Sequence, residues 1–241
     1  MLRIFGDIQM KFRNIFFGFL KTWLLVAIFY SGSLYAGYMH LNLNDYHPTT
    51  NNFRPYLFER DLNTGKLVQV FDTENSFQFE TYSLDSDIDM ILYEMRVLPV
   101  LQDWGAGIGN YQPSTDSHAS SDLAKVTESE VNLNLKGEGG IPSTREIHIA
   151  TYKGEIEAIS YSDSSEMETP EIITLIAKPE GLVPGQTTNI KGGGSSLLEQ
   201  LIQDYKAKNV QKIRLYSSKD DYYSKRGWED ETDSEGACGS G

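Results

Sequence analysis

The stretch Thr187–Tyr205, TTNIKGGGSSLLEQLIQDY, decides how the rest of the chain reads. Polar turn residues lead through three consecutive glycines straight into an amphipathic helix. Leu197, Leu198, Leu201, Ile202 and Tyr205 fall on one face at helical spacing, with Glu199, Gln200, Gln203 and Asp204 on the other. Just upstream, Ile172-Ile173-Thr174-Leu175-Ile176-Ala177 is an apolar run that predicts a buried strand closed by Pro179. Strand, glycine loop and helix start together make a device for holding an anion. The first helical N–H groups have no partner within the helix, and the helix dipole favours negative charge there. Glycine lets the backbone approach the ligand with no Cβ in the way. The competing reading is a flexible Gly/Ser linker. A linker needs neither a strand before it nor an apolar stripe after it. Other phosphate cradles fit less well: no lysine followed by Ser or Thr stands after Gly194, and there is no GxGxxG fingerprint.

Composition bounds the function. The chain has 241 residues, enough for one medium domain with a sizeable core, and its 39% hydrophobic content with 14 Tyr and 11 Phe is that of a globular protein. Thirty-four acidic against 21 basic residues give a net charge of −13. That argues against a nucleic-acid partner and suits a cationic substrate. The one cysteine, Cys238, lies in a Gly/Ser/Ala tail, so no intrachain disulfide and no multi-cysteine metal site is expected. His40 and His47 flank Asp45 in an Asn- and Pro-containing stretch and read as loop histidines, not as metal ligands.

At the start of the chain, Lys11, Arg13 and Lys21 precede the apolar Trp23–Tyr30, and small residues follow up to Ala36-Gly37. This pattern predicts a signal peptide over residues 1–36, with Met10 as an alternative start. An uncleaved anchor is the other reading, because residues 22–39 carry no charge, so membrane association through residues 11–39 is expected in that case. Residues 37–76 read as an irregular arm with a hairpin around Asn63-Thr64-Gly65. The alternating Phe77–Tyr82 predicts the first strand of a domain over 77–232. A helix with Ile88, Ile91, Leu92 and Met95 on its apolar face follows, ended or kinked at Pro99. Trp104–Gly109 reads as a loop and Asp122–Leu135 as a helix. Strands at Glu146–Tyr152 and Glu155–Tyr161 are joined at Lys153-Gly154, and a further strand is expected at Ile213–Tyr216. Residues 233–241 read as a flexible acidic and Gly-rich tail.

Lys191-Gly192-Gly193-Gly194-Ser195-Ser196-Leu197-Leu198 resembles the acetyl-CoA pyrophosphate loop of the GNAT N-acetyltransferases. Gly192 and Gly194 match the end of that family's pattern, while Asn189 stands where Gln or Arg is usual. Leu175–Glu180 is similar to the end of the preceding family strand, and Tyr223-Ser224-Lys225-Arg226-Gly227-Trp228 to its Tyr-x-Lys-x-Gly-Phe segment. The order of elements from about Phe77 to Trp228 also fits. The resemblance implies a mixed α/β sheet flanked by helices, with its central strands diverging beside Ala177. It implies transfer of an acetyl group from acetyl-CoA, as co-substrate, to a primary amine, with no metal. Backbone groups of Asn189, Lys191, Gly192, Gly193, Gly194, Ser195 and Ser196 would surround the pyrophosphate. Ile176, Ala177 and Lys178 would face the pantetheine amides. Tyr223 would be the general acid and Glu171 the first choice of base, with Glu157 and His148 as alternatives. Only 13 residues follow Trp228, so the family's last strand is expected to be short or missing. A catalytically inactive, exported binding module of the same frame is the alternative function.

Overall fold

The computed structural model describes residues 37–47, 54–136, 144–166, 168–217 and 219–231. The expected signal or anchor segment up to Ala36, the glycines after Lys136 and the Cys238 tail lie outside the described residues. The strands are β1 (Gly37–Asn42), β2 (Tyr56–Arg60), β3 (Leu67–Phe71), β4 (Gln78–Ser83), β5 (Arg145–Tyr152), β6 (Glu155–Asp163), β7 (Glu171–Ala177), β8 (Lys212–Ser217) and β9 (Glu229–Asp230). The α-helices are α1 (Asp87–Leu92), α2 (Leu98–Ala106), α3 (Asp116–Lys136), α4 (Gly193–Ala207) and α5 (Asp220–Ser224). Seven strands form one mixed sheet in the order β4-β5-β6-β7-β8-β1-β9, and β2 and β3 form a separate hairpin.

Each face of the sheet carries its own core. Period-two alternation in β5 sends Ile147 and Ile149 to one side, where they meet Tyr93, Val97, Leu101 and Trp104 from the helices before α3. Ala150 faces the other side, where Leu197, Leu198, Leu201, Ile202 and Tyr205 of α4 lie over β5, β6 and β7 and share one core with Met39 and Leu41 of β1 and Ile213 and Leu215 of β8. The mixed α/β sheet with helices on both sides is therefore the architecture. Lys153 and Gly154 both adopt positive φ, 51° and 87°, as a two-residue hairpin requires.

Residues 37–76 are not the irregular arm expected. β1 pairs antiparallel with β8 along its whole length, from Gly37↔Ser217 to Asn42↔Lys212. Met39, Leu41 and Leu43 alternate into the core. β1 is thus the long edge partner of β8, and the two-residue β9 pairs only with β1, at Met39 and His40. The wall that a long last strand would supply comes from the other end of the chain. Met39 is fully buried in this arrangement. Among the described residues no helix is long and apolar enough to cross a membrane.

Two further expectations are corrected on the helical face. The predicted apolar stripe of α1 is outside: Ile88 and Met95 are each 71% exposed and Ile91 56%. Tyr93 and Val97 are buried instead. Between α1 and α2 the chain forms a π-helical turn, Tyr93–Val97, in which the Leu98 N–H bonds the Tyr93 carbonyl. Pro99, in the first turn of α2, has no N–H to continue the ordinary ladder, so the widened turn shifts the buried face by one position. Trp104–Gly109 is helical rather than a loop, ending α2 and forming a 3₁₀ turn at Gly107–Asn110. Gly105 serves packing there, since a Cβ on it would lie 3.1 Å from the Lys125 Cβ of α3.

Candidate active site

β7 and β8 run parallel but pair only at Glu171↔Arg214 and Ile172↔Leu215. Beyond Ile172 they part, while β6 accompanies β7 to Ala177. Into the gap opens a cavity of about 570 Å³, and the glycine loop and the first residues of α4 form one of its walls. Gly193, Gly194, Ser195, Ala177, Lys178 and Tyr223 all line it.

Packing explains two of the glycines. Gly192 is the N-cap of α4 at φ 99°, a left-handed conformation that L side chains rarely adopt. A Cβ on Gly193 would lie 2.9 Å from the Glu157 carbonyl oxygen, so the helix start sits directly on β6. Gly192 has no side chain to cap the first helical amides, and the Ser196 N–H bonds Gly192 O at 2.9 Å as the first ordinary helical bond. Gly193, Gly194 and Ser195 thus present the uncapped amide end of a 15-residue helix to the cavity. These are the features a pyrophosphate requires: a close backbone, a positive dipole end and side-chain-free glycines.

Other expected donor-site residues are used differently. Ser196 is buried and does not line the cavity. Asn189 holds the loop through its backbone, its N–H donating to Gln186 Oε1 at 2.8 Å and its carbonyl accepting from Gln186 Nε2 at 3.1 Å. Lys191 lines the cavity, while its ammonium donates to Gly181 O and lies 5.7 Å from the Phe58 ring centre, and burial lowers its pKa. Ile176 points into the core on the helical face. The Ala177 carbonyl accepts from Ser120 of α3.

The candidate bases separate clearly. Glu171 is held by Arg214, whose Nε and Nη2 each lie 3.0 Å from its Oε2, at the end where β7 and β8 are still paired, and it does not line the cavity. His148 does not line it either. Its ring is buried between Thr81 Oγ1 and Ser162 Oγ, each 2.8 Å away, and burial lowers its pKa from the ordinary 6.5 to about 3. Glu157 does line the cavity. It is only 6% exposed, its Oε1 is 3.3 Å from Lys178 Nζ, and its Oε2 has no hydrogen-bond partner among the described residues. Burial raises its pKa against the opposing pull of Lys178. Lys178 is also 3.2 Å from Glu155.

Tyr223 stacks edge-on against Tyr222 and Trp228, with ring centres 5.0 and 5.7 Å away. Burial pushes its hydroxyl pKa up, so it keeps its proton. The Tyr222 hydroxyl is 2.8 Å from Ser195 Oγ, which ties the α5 segment to the helix start. Three further contributors carry no motif that marks them in the sequence. Ser120 holds the end of β7. Asp116 of α3 is 2.8 Å from Lys219, and both line the cavity. Tyr56 of β2 exchanges backbone bonds with Lys191, at 2.9 and 3.2 Å, and its ring would meet a Cβ on Gly192 at 3.3 Å. Among the described residues, no three His, Cys, Asp or Glu side chains stand together in a way that could hold a metal ion.

The buried neutral His148 has a consequence for stability. Its folded pKa is depressed, so its contribution is complete above pH 6.5 and is lost as pH falls toward about 3. Acid should destabilise the protein through this group by about 1.4 kcal/mol per pH unit in that window. Urea denaturation between pH 7 and pH 4 should show a shallower acid loss in His148→Asn than in wild type. Equal pH dependence in the two would contradict the assignment.

The fold and cavity define a mixed α/β domain with a ligand cleft where two parallel strands part beside a glycine-rich helix start. No protein-family model matches the sequence, and no curated protein matches it. Solved structures with a similar chain path include the C-terminal domain (DUF2156) of a putative lysylphosphatidylglycerol synthetase from Agrobacterium fabrum. That likeness has a TM-score of 0.39 at 12% identity and covers 75% of this chain. This chain spans 46% of that one. An aminoglycoside acetyltransferase from an uncultured soil metagenomic sample, in complex with sisomicin, gives 0.33 at 13% identity, covering 62% of this chain and 83% of its own. A functionally unknown conserved protein from Staphylococcus epidermidis gives 0.36 at 13%, covering 82% and 60%.

Proposed function

We propose that the protein is an N-acyltransferase that moves an acetyl group from acetyl-CoA to a primary amine. The observation that carries this reading is the uncapped start of α4, preceded by Gly192 at positive φ and open to the cavity between the parted strands. Amides of Gly193, Gly194 and Ser195 hold the pyrophosphate, and the end of β7 at Ala177 and Lys178 flanks the arm that carries the thioester. Acetyl-CoA supplies an activated acyl carbon and a thiolate leaving group. Glu157 takes a proton from the incoming ammonium, so that the free amine attacks. One C–N bond forms and one C–S bond breaks. Tyr223, held protonated by burial, donates its proton to the departing sulfur and regains one from the nitrogen, which sheds its second proton as the amide forms; Glu157 releases its proton to solvent.

Glu157 replaces Glu171 in this scheme because it faces the cavity and Glu171 is bound to Arg214. Tyr223→Phe provides the test of roles. It should leave acetyl-CoA affinity within twofold of wild type and lower kcat at least tenfold, read by titration calorimetry and a thiol-release assay. A weakened affinity with unchanged kcat would remove Tyr223 from the acid role.

A further inference from the structure

We infer that the protein self-associates through the outer edge of β3, which pairs antiparallel with the same strand of a second copy. β2 and β3 form a sheet of two strands only, separate from the main sheet. A hairpin of that size is marginal in water, and further strands stabilise it. β3 also lacks the devices that protect an edge. Leu67, Val68, Gln69 and Val70 are all exposed, Val68 and Val70 to 43% and 41%, and the strand contains no charge, proline or glycine.

Hydrogen-bond parity fixes which backbone groups face outward. On β2, Tyr56 turns both its N–H and its carbonyl away from β3 to Lys191, at 3.2 and 2.9 Å. The Asp72 N–H bonds Pro55 O and the Asp61 N–H bonds Lys66 O, each at 2.9 Å. Antiparallel pairs alternate between bonded and non-bonded. With Tyr56 opposite Phe71, the backbone groups of Val68 and Val70 face β2, while those of Leu67, Gln69 and Phe71 point outward. Among the described residues no strand pairs with those outward groups.

The sequence of this edge matches itself. Lys66-Leu67-Val68-Gln69-Val70-Phe71-Asp72 is chemically palindromic about Gln69. Laid antiparallel on a second copy about that residue, it sets Lys66 against the partner's Asp72, Leu67 against the partner's Phe71 and Val68 against the partner's Val70. The outward groups then meet in register, with Gln69 bonded to the partner's Gln69 and Leu67 to the partner's Phe71. Val68 and Val70 fall at the non-bonded pairs, where side chains approach most closely. Moving the centre to Val68 would set Lys66 against Val70 and Leu67 against Gln69. Charge selects the first register. Lys66 makes no ion pair among the described residues. Asp72 accepts from Tyr152 and Asn75 at 2.6 and 2.8 Å, bonds that keep it ionised, and Lys153 lies 3.7 Å from it. None of the strand residues Leu67–Phe71 lines the cleft beside α4, so the association is independent of the acyltransferase reading.

The test is light scattering coupled to size-exclusion chromatography of the full chain. Salt of about 0.15 M screens the repulsion between copies of net charge −13 within about 8 Å. The mass should rise toward that of a dimer as the concentration approaches about 100 μM. Gln69→Pro removes an N–H that points away from β2, so the hairpin stays intact while the central pair is lost. It should weaken association at least tenfold. The double variant Val68→Lys, Val70→Lys sets lysine against lysine across the pair and should weaken association by a similar factor. Both variants change exposed positions only. In a Cys238→Ser background, Gln69→Cys should form a disulfide-linked dimer on mild oxidation at least tenfold faster than Leu62→Cys, which is fully exposed in the hairpin turn. Paired Cα atoms at Gln69 would lie about 5.5 Å apart, within disulfide reach. A mass of one chain at every concentration, association unchanged in Gln69→Pro and in the lysine variant, or equal disulfide formation at both positions would each overturn the inference.

Discussion

Glu157→Gln is expected to lower kcat by a factor of about 10²–10⁴, the range of general-base contributions, while acetyl-CoA affinity changes little. The amide keeps the shape of the side chain beside Gly193 and Lys178 but cannot take a proton. The pH profile gives the sharper signature. Burial raises the Glu157 pKa, so wild-type activity should fall on the acid side from a point above the ordinary carboxylate range. The base is active only when ionised, so the loss follows protonation as pH decreases. In Glu157→Gln that acid limb should disappear along with most of the rate. Glu171→Gln should instead cost stability by weakening its pair with Arg214, which keeps the exposed Glu166 at 3.4 Å, and leave the acid limb in place. Retention of a third or more of the wild-type rate in Glu157→Gln would exclude it as the base.

Gly194→Glu should weaken acetyl-CoA binding at least tenfold, about 1.4 kcal/mol, without loss of stability. A Cβ at this position lies 3.3 Å from the Ala177 Cβ, a tight contact that a small shift relieves. Glutamate is also a better helix former than glycine, and its charge suits the first turn of α4. The same charge competes with phosphate oxygens for the helix amides and repels them. Thermal stability should therefore hold or rise while affinity falls. A Cβ at Gly193, by contrast, meets a backbone carbonyl at 2.9 Å, so substitution there disturbs the fold and says little about ligand.

What the sequence made legible was local. The β5–β6 hairpin rests on alternation and a two-residue turn, and α4 on a clean helical stripe after a glycine run. Both signals lie within a few residues of the structure they specify. β1 was hidden for the opposite reason. Its partner β8 lies some 170 residues away, and its buried Met39, Leu41 and Leu43 are interleaved with asparagines and a histidine that read as loop. The α1 stripe misled because a π turn before Pro99 changes which side chains face the sheet. That Glu171 pairs with Arg214 and stays outside the cavity depends on the parallel register between β7 and β8, which no spacing reveals. Nor does spacing reveal that Ser120 and Asp116 of α3 and Tyr56 of β2 converge on the cavity from two other elements.

In the proposed function, the cleft between β7 and β8 holds a CoA thioester against the start of α4. Calorimetric titration of acetyl-CoA into wild type and Gly194→Glu measures this directly. Wild type should bind saturably at one site, and the variant should bind with at least tenfold lower affinity. Absence of binding by wild type, or equal affinity in both proteins, would contradict it.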